Sequence, residues 1–201
     1  MRALWLIDGS YIYKAGRAFQ KENPSYVKKG IDYKKLKDCL CKEFQIDVLD
    51  GWYFNSTPDP ATDGQNAYHS WLKTTEPKGP GIRVKLYDLK EKEITCRDCG
   101  KTFSIKVQKG VDVGIATTAL RLFGRYDAII LSAGDGDFED FIRYIVEDND
   151  KKLYIVGFDK SISPDLQQFS SMNYLLNEHY DDICDNREFK PFDTADEVVS
   201  E

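Results

Sequence analysis

The chain has 201 residues, enough for one domain or one domain carrying an insertion. Its 41% apolar content supports an ordinary core, with roughly two-thirds of the unfolded surface buriable at this size. A net charge of -6 excludes a global basic footprint for nucleic acid, but not an enzyme that holds a polyanion through metal ions and a local patch.

The predicted elements alternate between two kinds. ALWLID (3–8), LDGWYF (49–54), IRVKLY (82–87), YDAIILSA (126–133) and KLYIVGF (152–158) are short, apolar and rich in β-branched and aromatic residues, and NYLL (173–176) is a sixth of the same kind. Between them Leu36, Cys39, Leu40 and Phe44 repeat at helical spacing, as do Ile115, Ala119, Leu120 and Phe123, and then Phe138, Phe141, Ile142, Ile145 and Val146. Near-continuously apolar strands alternating with amphipathic helices predict an α/β fold whose mainly parallel sheet is covered on both faces. Residues 88–110 break the pattern and read as an inserted β-hairpin centred on a cysteine pair. The domain is expected over 1–184, followed by a loosely ordered tail over 185–201 without periodicity.

No stretch approaches the ~18 apolar residues a membrane span needs. The opening MRALWLIDGSYIY lacks the apolar core and small-residue cleavage site of a signal peptide. Five cysteines, an odd number, do not suit a secreted disulfide framework. The expectation is a soluble, cytoplasmic protein with no membrane partner.

Ligand sites in open parallel sheets lie beyond the carboxyl ends of the strands. Asp8 ends the first predicted strand, Asp135 and Asp137 follow the fourth, and Asp112 opens a helix that reaches the same edge. Each has a plain alternative: Asp137 as a helix cap, Asp112 as a first-turn residue, Asp8 as turn chemistry. Together they would repel one another, and such a cluster suits Mg²⁺ or Mn²⁺, hard cations that take carboxylate oxygen and water. Gly134 and Gly136 let the backbone turn tightly so that both neighbouring carboxylates face the cleft.

In that order, LIDGSYIY, KGVDVGIATTAL and AGDGDFEDFI resemble the motifs of the NYN domain family, the LabA-like branch of the PIN-like ribonucleases. The resemblance covers about 3–176 apart from the hairpin. It implies a three-layer α/β/α Rossmann-like sandwich and metal-dependent RNA cleavage, with Asp8, Asp112, Asp135 and Asp137 as catalytic, metal-holding acids. Ser10, Tyr11 and Lys109 become the candidate RNA contacts, although Tyr11 equally suits packing on the first helix and Lys109 a solvated turn. One or two Mg²⁺ or Mn²⁺ ions would promote in-line attack of water, leaving 5′-phosphate and 3′-hydroxyl ends. The chain departs from the family pattern at Tyr11, where Asn is usual, at Thr118, where a second Asp is frequent, and at Ala133, where Ser is common. Those departures keep a second reading open, a catalytically weakened RNA-binding or protein-interaction module. Receiver and haloacid-dehalogenase-like domains fit less well, since LIDGS supplies one acid where the first needs a pair, and Ser10 stands where the second needs Asp.

CRDCG, with Cys96 and Cys99, has the form of a zinc knuckle at a hairpin tip, which is half of a four-ligand structural site. Cys184, His179 or the same knuckle from a second copy in a homodimer could complete it. An unfilled knuckle and a redox pair are the other readings. Cys39 and His69 read as packing residues.

Overall fold

Residues Arg2–Asp8 form the first strand, β1, buried from its second residue to its last. The computed structural model describes residues 1–97 and 99–185. Most of the tail expected over 185–201 therefore lies outside the described residues. After β1 come α1 (Gly9–Glu22), α2 (Tyr33–Glu43), β2 (Val48–Thr57), α3 (Asp63–Lys73) and β3 (Arg83–Asp88). The chain then makes β4 (Lys90–Thr95), β5 (Thr102–Val107), α4 (Val111–Arg121) and β6 (Ala128–Ser132). It closes with α5 (Glu139–Val146), β7 (Lys152–Gly157), α6 (Pro164–Gln167), β8 (Met172–Leu175) and α7 (Tyr180–Ile183).

Six strands form one sheet in the order β3-β2-β1-β6-β7-β8, every neighbouring pair parallel. This is a doubly wound order, in which successive strands step outward from β1 in one direction and, from β6, in the other. The expected α/β/α sandwich is what forms. β2 runs past the apolar segment 49–54 to Thr57 because β3 pairs with it through Thr57↔Asp88.

Alternate residues of the central strands feed two cores. Ala3, Trp5 and Ile7 face one layer, with Ile12 of α1, Leu36 and Leu40 of α2, Leu72 of α3 and Ile183 of α7. Leu4 and Leu6 face the other, with Val111, Ile115 and Ala119 of α4 and Ile142 and Ile145 of α5. Burial on both faces is why β1 and β6 read as unbroken apolar runs. β4 and β5 form a separate antiparallel hairpin between β3 and α4, exposed along most of β4 and the first half of β5. Among the described residues, no helix is long and apolar enough to cross a membrane.

One buried polar contact crosses the two central strands: the Trp5 indole N–H donates to the Ser132 hydroxyl at 2.9 Å. Ser132 is 1% exposed and Trp5 fully enclosed, so removing the acceptor strands a donor away from water. Ser132→Ala is expected to destabilise the fold by about 1–3 kcal/mol, read from the urea midpoint. An unchanged midpoint would show that the contact does not tie β1 to β6.

Candidate active site

β1 and β6 lie side by side where the sheet order reverses, and the acids gather beyond their carboxyl ends. Asp8, the last residue of β1, is the N-cap of α1. Its Oδ1 accepts from the Ser10 amide at 2.9 Å, the Ser10 hydroxyl at 2.9 Å and the Tyr11 amide at 3.1 Å. Beyond β6, Asp135 caps a short 3₁₀ turn over Gly136–Phe138, its Oδ1 accepting from the Asp137 amide at 3.0 Å. The cap in this loop is thus Asp135, and Asp137 occupies the first turn that follows. Both caps use Oδ1, which fixes each carboxylate through one oxygen. Asp112 lies in the first turn of α4, entered through Gly110, whose φ of 87° requires a residue without Cβ.

Burial raises the Asp8 carboxyl above its ordinary value, against the opposing pull of its hydrogen bonds and of Lys14. Asp112 is raised as well, first by desolvation and then by the negative charges of Asp8, Asp135 and Asp137. Asp112 thus stands within electrostatic reach of acids from two other segments, whereas at Asp8 burial is what raises the carboxyl. Among the described residues, however, no three His, Cys, Asp or Glu side chains stand close enough to hold a metal ion between them.

Tyr11 binds this edge together. Its hydroxyl and that of Ser161, in the loop after β7, are 2.7 Å apart. A Cβ at Gly134 would come within 2.4 Å of the Tyr11 ring and 2.1 Å of the Ser161 carbonyl, and one at Gly157 within 2.2 Å of the Tyr11 hydroxyl. The ring thus lies across the loop that carries Asp135, in space that two glycines leave open. Lys109 is exposed, just before Gly110. Asp165, in the first turn of α6, is an acid that the strand-end reasoning missed; its Oδ2 would lie 3.4 Å from a Cβ at Gly136. The one hint in the sequence was Ser163-Pro164, a helix start facing the same loop.

The cysteine knuckle closes as a turn at the hairpin tip, with the Gly100 amide donating to the Cys96 carbonyl at 3.0 Å and Gly100 at φ 68°. Neither Cys184 nor His179 completes a zinc site with it among the described residues. Cys184 is buried at the end of α7, and the His179 ring stacks on Tyr174 at 4.3 Å.

The NYN domain model matches residues 2–176. A crystal structure of a protein of unknown function from Vibrio parahaemolyticus superposes with a TM-score of 0.59 at 19% identity, covering 91% of this chain and 96% of that one. At that identity the likeness concerns the fold. A Sir2 structure with acetylated peptide reaches a TM-score of 0.40 at 13% identity over 90% of each chain, too loose to bear on function. No curated protein matches the chain.

Folded, Asp8 and Asp112 keep their protons to higher pH than an ordinary aspartate does. Their contribution to stability is present below the ordinary value and is lost as pH rises through the raised ones. At Asp112 the net rise means that desolvation and like charge outweigh the attraction of the helix N-terminus. Asp112→Asn is therefore expected to be more stable than wild type at pH 7, with the gain shrinking as pH falls toward about 4. Urea unfolding across that range checks it; a variant less stable at pH 7 would contradict the repulsion.

Proposed function

Because the chain belongs to the NYN domain family, with the fold of the PIN-like nucleases, we propose that it is a divalent-metal-dependent endoribonuclease acting through the acids beyond β1 and β6. The observation that carries this reading is placement: Asp8 ends β1 and Asp135 caps the turn after β6, on neighbouring parallel strands at the point where the sheet order reverses, and the raised carboxyl of Asp112 agrees with it. The domain in this reading is residues 1–184, with the hairpin as an excursion from it.

The donor set suits a hard cation, being carboxylate oxygen throughout, and positive charge would relieve the repulsion at Asp112. The lack of a three-acid group among the described residues is compatible with Mg²⁺, which keeps several waters and takes one or two carboxylates together with substrate phosphate. Asp8 and Asp135 would be its main holders, with Asp112 and Asp137 acting directly or through water. A bound ion would supply charge stabilisation at the phosphate and a more acidic water. The chain's own part is positioning: the hydrogen bonds at Asp8 Oδ1 hold that carboxylate in one orientation, and Tyr11 with Ser161 holds the loop carrying Asp135. Ser10 and Lys109 flank the edge on α1 and before α4, where a phosphate backbone would pass.

A second reading, a fold kept for binding RNA or protein, is favoured by the same lack of a three-acid group and by Tyr11, whose ring is committed to packing over Gly134 and Gly157. Cleavage of labelled single-stranded RNA separates the two. Wild type is expected to cut with Mn²⁺ or Mg²⁺, to stop in EDTA and to leave 5′-phosphate ends. Asp135→Asn should lose at least about a hundredfold in rate. Equal rates in the two proteins across several RNAs and both metals would remove the nuclease reading and leave the binding one.

A further inference from the structure

On the α4 side of the sheet, α4 reaches β3 at Tyr87 and leaves Arg83 and Lys85 exposed, because the chain leaves β3 into the hairpin before α4 returns across β2 and β1. Pairing of β2 with β3 sets Trp52 beside Arg83 and Phe54 beside Lys85, so Trp52, Arg83 and Lys85 share this face. Thr117, Thr118 and Arg121 of α4 form the opposite wall of an open groove of about 450 Å³. The guanidinium carbons of Arg83 and Arg121 lie 5.1 and 5.2 Å from the Trp52 ring centre, within cation–π range.

Two features of this groove have no hydrogen-bond or ion-pair partner among the described residues, although Lys85 and Arg121 rest on the Tyr87 and Trp52 rings. The Trp52 indole N–H is buried without a hydrogen-bond partner. Lys85 and Arg121 are exposed and make no ion pair among the described residues, whereas Arg83 pairs with Asp50. Two cations without an ion pair beside a hydrogen-bond donor, on a chain of net charge -6, are complementary to an anionic strand. The groove also has a direction. Tyr87, two residues beyond Lys85, lies on the first turn of α4, where a Cβ at Gly114 would come within 1.8 Å of its hydroxyl. That turn carries Asp112. Nine residue steps of helix, about 13 Å of rise, separate Asp112 from Arg121, so the acidic edge lies at the other end of the helix that walls the groove.

We propose that this groove is the track for a single-stranded RNA segment, with phosphates on Lys85 and Arg121 and a phosphate or base acceptor on the Trp52 N–H. A strand held there and continued past Tyr87 along α4 would reach the acids. The delivery to a cutting site rests on the ribonuclease reading; the binding does not.

Fluorescence anisotropy of a labelled single-stranded RNA in EDTA, over a salt series, tests the groove without cleavage. Both cations are exposed, and circular dichroism checks that the double variant Lys85→Gln/Arg121→Gln folds. It should bind roughly tenfold more weakly, with the slope of log K against log salt reduced by about 1.4, or ~0.7 for each phosphate that is no longer neutralised. Trp52→Phe should also weaken binding, whereas Lys42→Gln, an exposed lysine on α2, should not. If the double variant binds like wild type, the track is overturned, and metal-dependent cutting by wild type would leave the nuclease reading intact. If wild type binds polyglutamate and no RNA, the groove takes an acidic peptide and the proposal fails. Loss of RNA binding in the double variant, in a protein that cuts nothing with Mn²⁺, upholds the track and removes the nuclease.

Discussion

The pairing of β1 with β6 is the constraint on which the rest depends. Five residue pairs in parallel register, from Ala3↔Ala128 to Ile7↔Ser132, bring the carboxyl ends of two strands together that lie more than a hundred residues apart in the chain. Apolar burial on both faces and the Trp5–Ser132 hydrogen bond hold that register. A slip by one residue would turn every buried side chain to the opposite layer, so the register is strongly specified. Asp8 and the Asp135 loop inherit their proximity from it.

The fold bears an electrostatic cost at that edge. Isolated acids at the surface would lower their free energy by separating. Here Asp8 is desolvated at a strand end, and Asp112 is held by a helix whose entry is set by Gly110. Tyr11, wedged over Gly134 and Gly157, keeps the third segment from moving away. Rigid packing beneath carboxylates that repel one another is the arrangement expected where charge is kept for a ligand rather than for the fold. The groove on β3 and α4 carries the opposite sign on the same molecule, the complement that the proposed RNA track calls for.

Much of this was legible in the sequence, because the strongest signals are local. Strands buried on both faces announce themselves as apolar runs, and the central ones, 3–8 and 126–133, lie within two residues of β1 and β6. Asp8 offered two readings from the sequence, a ligand at a strand end or plain turn chemistry, and the structure shows it as the cap of α1 at the end of β1. The hairpin at 88–110 was visible from its polar alternation. The groove was not, since Trp52, Lys85 and Arg121 belong to three elements and meet only through strand register and helix crossing. Tyr11 gave two readings from sequence alone; its contact with Ser161, 150 residues away, depends on the β7 loop returning to β1. The CRDCG turn was found correctly, yet nothing local could say whether distant Cys184 or His179 would reach it.

The central claim is that the acids beyond β1 and β6 form one cation site. Titration of Mn²⁺ followed by electron paramagnetic resonance, on wild type, Asp8→Asn and Asp135→Asn, tests it most directly. Wild type should bind Mn²⁺ saturably, and either substitution should weaken binding strongly, even though Asn retains both helix caps. Wild type that leaves Mn²⁺ free up to millimolar concentrations, or variants that bind it as tightly as wild type, would contradict the claim.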